Sequence, residues 1–307
     1  MPSIKDLKKR ITTVKNTQQT TRAMKMVSAA KLRRAQEAIQ NQRPYAKRIG
    51  ELLRQLAAGV DFSLDGSPLK REREVQPGQA KKVLLVLVTS DRGLCGGFNS
   101  SVIKAGQRWM DEHSSDIRGG QIELSFAFVG RKGHDFFKTK GVKITAYYPD
   151  LGGKVHFLKA RKLAKSLLEL YTGGEVDEIK FIYNEFKNAA TQKVVVEDFL
   201  PLTSESTQAV SGEAAGAAVD IHGVIIKPSL DEVVKELLSK HFAIQAFRVL
   251  LESQAGEHGA RMSSMENATK NAGEMIRKLT LQFNKQRQAG ITKELLEIIA
   301  GSESQKG

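Results

Sequence analysis

The sequence predicts an α/β fold: a long antiparallel coiled coil of the N- and C-terminal helices plus a central Rossmann-like α/β domain. Three observations carry this. Apolar residues recur at steps of three and four at both ends of the chain. A continuous apolar run, Val83–Val88, opens a middle region in which strand-like and helix-like segments alternate. The seven prolines, at 2, 44, 68, 77, 149, 201 and 228, leave 3–43 and everything after 228 free of helix breakers. The expected divisions are 1–57, an N-terminal coiled-coil helix; 80–228, an α/β foot domain; and 229–307, a C-terminal coiled-coil helix.

The N-terminal helix shows its face in Ile4, Leu7, Ile11 and Val14. The polar stretch Asn16–Arg22 interrupts the stripe, which resumes with Met24, Val27, Leu32, Ala35 and Ile39 and extends through Ile49, Leu52, Leu53 and Leu56. Pro44 marks a bend, because it removes a backbone donor. From Ser3 to Ala57 the helix would run about 80 Å at about 1.5 Å per residue.

The middle region reads as strands at Lys81–Thr89, Ile122–Val129, Val142–Tyr148, Glu178–Phe186 and Lys193–Leu200. Helices fall at Ser100–His113, Arg131–Lys140 and Val155–Tyr171. Segments 58–79 and 203–220 have the Gly, Ser, Pro and charge content of loops.

The C-terminal helix is the most regular element. From Leu251 the steps of four and three give Ala255, His258, Met262, Met265, Thr269, Ala272, Ile276, Leu279 and Phe283. Eight of these ten positions are apolar, the a/d pattern of a coiled coil. From Ser229 to Ala300 it would span about 105 Å. A helix of that length needs a partner, and the N-terminal helix is the obvious one. His258 on the seam reads as a polar register pin.

The charge is uneven. Of a net +14, residues 1–57 hold 14 basic side chains against Asp6, Glu37 and Glu51, a net of +11. Residues 229–307 hold 11 basic and 10 acidic, a net of +1. The partner of the basic segment is therefore expected to be acidic. Arg33 and Arg34 lie on that face. A nucleic-acid partner is the rival reading, but Tyr45 is the only aromatic there to stack on bases.

Other chemistries find little support. One cysteine, Cys95, rules out an intramolecular disulfide and a multi-Cys zinc site. The six histidines are scattered without HxxxH or HExxH spacing, so neither a metal nor a cofactor is expected. No apolar run reaches the roughly 20 residues of a membrane span. The pattern starts at Ile4, without room for a signal or transit peptide, so a cytosolic or peripheral-membrane protein of bacterial type is expected. Ser90–Asn99 (SDRGLCGGFN) falls where a strand turns into a helix, and its glycines could cradle a phosphate. It lacks both P-loop and GxGxxG spacing. The structural alternative is a tight turn in which Gly96 and Gly97 let backbone segments approach. Cys95 has no histidine near it in sequence to act as a base.

Three blocks resemble one family. Ile11–Gln36 (ITTVKNTQQTTRAMKMVSAAKLRRAQ), Ser90–Asn99 and Ala260–Gly301 (ARMSSMENATKNAGEMIRKLTLQFNKQRQAGITKELLEIIAG) are similar to conserved elements of F-type ATP synthase γ subunits, in the same order. The resemblance spans the chain. It implies a non-catalytic central rotor, turning inside a ring of three α and three β subunits, with the α/β domain on the ε subunit and the c-ring. Ion flow would turn the ring and shaft, and ATP would form in the β subunits. The implied location is the cytoplasmic face of the bacterial inner membrane, peripheral to it. By motif position, Met24 would face the acidic lever loops of the β subunits. Arg261, Arg287, Gln288, Thr292 and Glu294 would contact the β ring, with the tip near Ile298 in an apolar collar. Val219–Val224 lacks the cysteines of the chloroplast regulatory insertion, so thiol control is not expected.

Overall fold

The computed structural model describes residues 3–59, 79–149, 151, 155–188, 191–201, 227 and 229–304. The expected loops at 58–79 and 203–220, and Val219–Val224, fall wholly or mostly outside them. The chain divides into two compact units, Met1–Ala29 with Arg261–Gly307, and Ala30–Ala260. Two helices contribute to both: α1, Ile4–Gly59, and α6, Leu230–Ser304.

In the first unit α1 begins at a reciprocal cap. The Asp6 N–H donates to Ser3 Oγ at 3.2 Å, and the Ser3 N–H donates back to Asp6 Oδ2 at 3.3 Å. This satisfies two N–H groups that the helix cannot. The helices pair antiparallel: partner numbers on α6 rise as those on α1 fall. Lys25 Nζ meets Glu266 Oε1 at 3.0 Å, Thr21 Oγ1 lies 2.8 Å from Thr269 Oγ1, and Gln18 Nε2 donates to the Thr269 carbonyl at 3.4 Å. Nearer the end of α6, a Cβ on Gly290 would lie 3.8 Å from Ile4 Cδ1.

The stripe on α1 differs from the sequence expectation. It is not interrupted at Asn16–Arg22. Leu7, Ile11, Val14, Gln18, Thr21, Lys25 and Ser28 follow the four-three rhythm without a break, and all are buried or half-buried. Val27, expected on the stripe, is exposed. The seam simply changes chemistry here, from aliphatic to hydroxyl, amide and ammonium. A search for apolar residues alone reads such a stretch as a gap.

The second unit is built on a five-stranded sheet: β1 Lys81–Val88, β2 Ile122–Val129, β3 Ile144–Tyr148, β4 Glu178–Phe186 and β5 Gln192–Leu200. The spatial order is β3-β2-β1-β4-β5. All neighbours are parallel except β4 and β5, which run antiparallel. This is the doubly wound order expected of a Rossmann-like domain. Between the strands lie α2 Phe98–Glu112, α3 Ser114–Arg118, α4 Arg131–Lys138 and α5 Phe157–Thr172. The five-residue α3 is too short to show a period and was not expected from sequence.

Strand alternation sorts the core onto two faces. Leu84, Val86 and Val88 of β1 point to one side, packing with Leu163, Leu167 and Tyr171 of α5 and Phe242, Ala246 and Val249 of α6. Val83, Leu85 and Leu87 point to the other, with Val102 and Trp109 of α2 and Phe137 of α4. Because β1 is covered on both faces, every residue of Val83–Val88 is apolar. Within this unit α1 joins α6 through Gln42, whose Nε2 donates to the Ile244 carbonyl at 3.4 Å.

Candidate partner-binding surfaces

The turn after β1 is held by its own side chains. The Ser90 N–H donates to Asn99 Oδ1 at 2.9 Å, Ser90 Oγ donates to the Arg92 carbonyl at 2.6 Å, and Asn99 Nδ2 donates to Cys95 Sγ at 3.2 Å. Cys95 is buried in this network as a hydrogen-bond acceptor. Gly96 is required for its positive φ of 55°, not for close packing, since nothing lies within 4 Å of the Cβ it lacks. Gly97 is equally uncrowded, its nearest neighbour being Ser100 Oγ at 3.8 Å. The expected close approach occurs elsewhere, at Gly130, where a Cβ would fall 2.1 Å from the Thr89 carbonyl oxygen. Leu94 also takes a positive φ, 63°, and leaves its side chain 62% exposed.

In this topology ligands bind at the carboxyl ends of the strands where the order reverses, here between β1 and β4. That place is occupied by the chain itself. Gly256 of α6 lies there, where a Cβ would be in ordinary contact, 3.4 Å from Phe98 Cε2 and 3.6 Å from Asn184 Cβ. Gln192 Nε2 donates to the Gly256 carbonyl at 2.8 Å, and Asn184 Nδ2 to the Phe98 carbonyl at 3.0 Å. The turn therefore serves to seat a helix on the sheet.

The residues expected to contact partners fall into three environments. Arg33 and Arg34 are exposed, and Arg33 pairs with Glu37, at 3.0 Å, one turn along its own helix. Arg287, Gln288, Thr292 and Glu294 are exposed on α6, where Thr292 Oγ1 donates back to the Gln288 carbonyl at 2.9 Å. Met24 is half-buried. Arg261 differs from the expectation of a presented contact: it is only 8% exposed, folded into its own chain. Around the polar set on α6 stand Leu281, Ile291, Leu295, Leu296, Ile298 and Ile299, 49–71% exposed. Isolated surface leucines need no explanation, but here six large aliphatic side chains are exposed on the C-terminal part of one helix.

A further cluster was not read from the sequence. Arg248 of α6 reaches Glu197 Oε1 of β5, Tyr183 Oη of β4 at 3.2 Å, and Glu252 Oε1 at 3.6 Å. Tyr183 Oη donates to the second oxygen of Glu197 at 2.7 Å, and Gln245 Nε2 donates to its first at 3.1 Å. Burial raises the Tyr183 hydroxyl pKa well above the usual range and raises that of the Glu252 carboxyl. Burial opposes the Arg248 charge, but Glu197, Tyr183 and Glu252 outweigh it and hold the guanidinium protonated. His241, one turn before Gln245 and 3% exposed, is pushed by burial, and by Arg248, down to about 4. One signal of the cluster is visible in sequence: Arg248 is the only charge between His241 and Leu251.

Among the described residues no helix is long and apolar enough to cross a membrane, and no group of three or more His, Cys, Asp or Glu could hold a metal ion.

The family model described as ATP synthase matches residues 3–304. The ATP synthase gamma chain of Geotalea uraniireducens (strain Rf4) is 48% identical over 307 residues, covering all of both chains. That of Bdellovibrio bacteriovorus is 44% identical over 309 residues, again covering all of both. Among solved structures, a chain of the Tetrahymena thermophila mitochondrial ATP synthase central stalk and c-ring is 25% identical, with a TM-score of 0.52, covering 81% of this chain and 99% of that one. A chain of the Euglena gracilis mitochondrial ATP synthase in rotational state 3 shares the fold at 21% identity, with a TM-score of 0.64, covering 98% and 94%.

Proposed function

The chain belongs to the ATP synthase gamma chain family, and on that premise we propose that it transmits torque between a membrane c-ring and a catalytic αβ hexamer. It is a non-catalytic subunit of the complex, whose catalysis is in the β subunits. In this reading residues 1–57 and 229–307 form the shaft, and 80–228 form the foot that meets the ε subunit and c-ring. Three α and three β subunits surround the shaft, one copy of this chain serves each complex, and the assembly sits at the cytoplasmic face of the bacterial inner membrane. Arg287, Gln288, Thr292 and Glu294 contact the β ring, Met24 its acidic lever loops, and Arg33 and Arg34 supply the basic face. Arg261, being buried, acts on that contact through the packing of α6.

One observation carries the reading: the end of α6 exposes Leu281, Ile291, Leu295, Leu296, Ile298 and Ile299. Removing that apolar surface from water is favourable at about 25 cal/mol per Å². Among the described residues none covers it, and an enclosing collar would. Rotation also needs a shaft with unequal sides, and the net charges of +11 and +1 on the terminal segments provide them.

The test is co-expression with the α and β subunits, followed by size exclusion and an ATPase assay. A complex holding one copy of this chain per three αβ pairs, with ATPase activity, is expected. A chain that elutes alone overturns the proposal.

A further inference from the structure

The apolar face between α6 and the sheet resists separation, but hydrophobic contact is non-directional. Phe242, Ala246, Val249 and Leu250 could turn about the helix axis against Phe181, Phe199 and Leu200 with little change in buried area. A shaft that bears torque at such a joint would slip. The joint also contains directional contacts: Gln192 Nε2 of β5 donates to the Gly256 carbonyl of α6 at 2.8 Å, and the densest set gathers at Arg248. Arg248 presents a planar fork whose N–H groups point in fixed directions. Its Nη2 is on Glu197 of β5, and its Nη1 is 3.2 Å from Tyr183 Oη of β4. Tyr183 and Gln245 bind the two oxygens of the same Glu197 carboxylate, so each group fixes its neighbour. A rotation of α6 by one residue would turn Arg248 and Gln245 through about 100° and break the bonds they make to Glu197 and Tyr183, while the Tyr183–Glu197 bond between the strands would remain.

We propose that the Arg248–Glu197–Tyr183 cluster is a torque clamp, setting the angle at which α6 is locked to the sheet. It rests on the rotor reading and names the residues through which that rotor is stiff. Arg248 and Glu197 are half-buried, and ion pairs withdrawn from water contribute little net stability compared with apolar replacements of similar size. What they supply is orientation, through charge-assisted bonds with defined geometry. The positions support this. Arg248 sits in the middle of the helix face that covers β4 and β5, with His241 and Gln245 before it and Glu252 after it on the same stripe. Lys180 of β4 pairs with Asp198 of β5, so the two strands are also tied to each other beside the clamp.

The experiment uses the assembled complex, with the αβ hexamer fixed to a surface and a bead on an introduced cysteine at the exposed Arg108 of α2. The Arg248→Met/Glu197→Leu pair removes the fork and its acceptor but keeps the apolar volume. Its fold and ATP hydrolysis are expected to be retained. The variance of bead angle during pauses should rise about two-fold, because directional contacts have become non-directional. Ions pumped per ATP should fall with it. Should the pair fail to assemble, Arg248→Lys carries the test: it keeps the charge but not the fork, and a smaller rise in variance is expected. Variance and pumping ratio equal to wild type, in whichever variant assembles, would overturn the clamp. If wild type itself shows no rotation, the rotor reading falls instead.

Discussion

Where the first unit joins α1 to α6, the contacts are Thr21 with Thr269, Gln18 with the Thr269 carbonyl, and Lys25 with Glu266. Where the second joins α6 to the sheet, Phe242, Ala246 and Val249 lie on Phe181, Phe199 and Leu200, all essentially closed to water. The same helix therefore depends on two different kinds of force. Burial of large apolar side chains stabilises the sheet unit outright. Hydroxyl and amide contacts at a seam exchange bonds to water for bonds within the protein, at a net of about 1 kcal/mol each. In the helix pair these polar bonds set the register beside the apolar burial of Leu7, Met265 and Ala272, and the apolar residues toward the end of α6 remain exposed.

The contrast can be broken by substitution. Phe181→Ala should cost about 3–5 kcal/mol in denaturant unfolding of the isolated chain, the usual range for truncating a closed aromatic. A value below 1 kcal/mol would mean that the sheet unit is not the stable half.

Acid should act on the same unit. The His241 imidazole titrates at about 4 when folded, against an ordinary value of 6.5, because burial disfavours its charge. Between these values the unfolded chain takes up a proton and the folded chain does not. Its contribution is thus complete above about pH 6.5 and is lost as the pH falls towards 4, amounting to about 3 kcal/mol. Denaturant titrations across this window should show the slope, and His241→Phe should flatten it.

Smaller effects are expected in the helix pair. Gly290→Ala meets only Ile4 Cδ1, at an ordinary 3.8 Å. It should strengthen α6 by about 1 kcal/mol through helix propensity, read as slower hydrogen exchange over 285–297. Least of all, Leu295→Ala should change the stability of the isolated chain by no more than about 0.5 kcal/mol, as exposed sites do. The same change should weaken binding to the αβ ring, measured by competition with wild type during assembly. Equal competition would remove Leu295 from the contact.

Much of this was legible from the residues. The strands and three of the four middle helices follow their periods closely, because each buries a face wide enough to force an apolar pattern. Val83–Val88 is apolar throughout because both its sides are covered. Legibility fails where burial is not apolar. Thr21 and Ser28 sit on the seam while Val27 faces outward, so hydropathy points to the wrong residue. Arg261 is charged yet enclosed, and motif position gave no hint of it. The Arg248 cluster joins residues far apart in sequence, and no local rule pairs Arg248 with Glu197. Gly96 and Gly130 look alike as letters, although Gly96 serves a backbone angle alone and Gly130 both a positive φ of 84° and a close approach.

The most direct test of the account is single-molecule observation of the wild-type complex, with the hexamer fixed and a bead carried at position 108. ATP should drive stepwise rotation in one direction, stopping when nucleotide is withdrawn. ATP hydrolysis at full rate beneath a bead that does not turn would contradict the claim that this chain is the moving part.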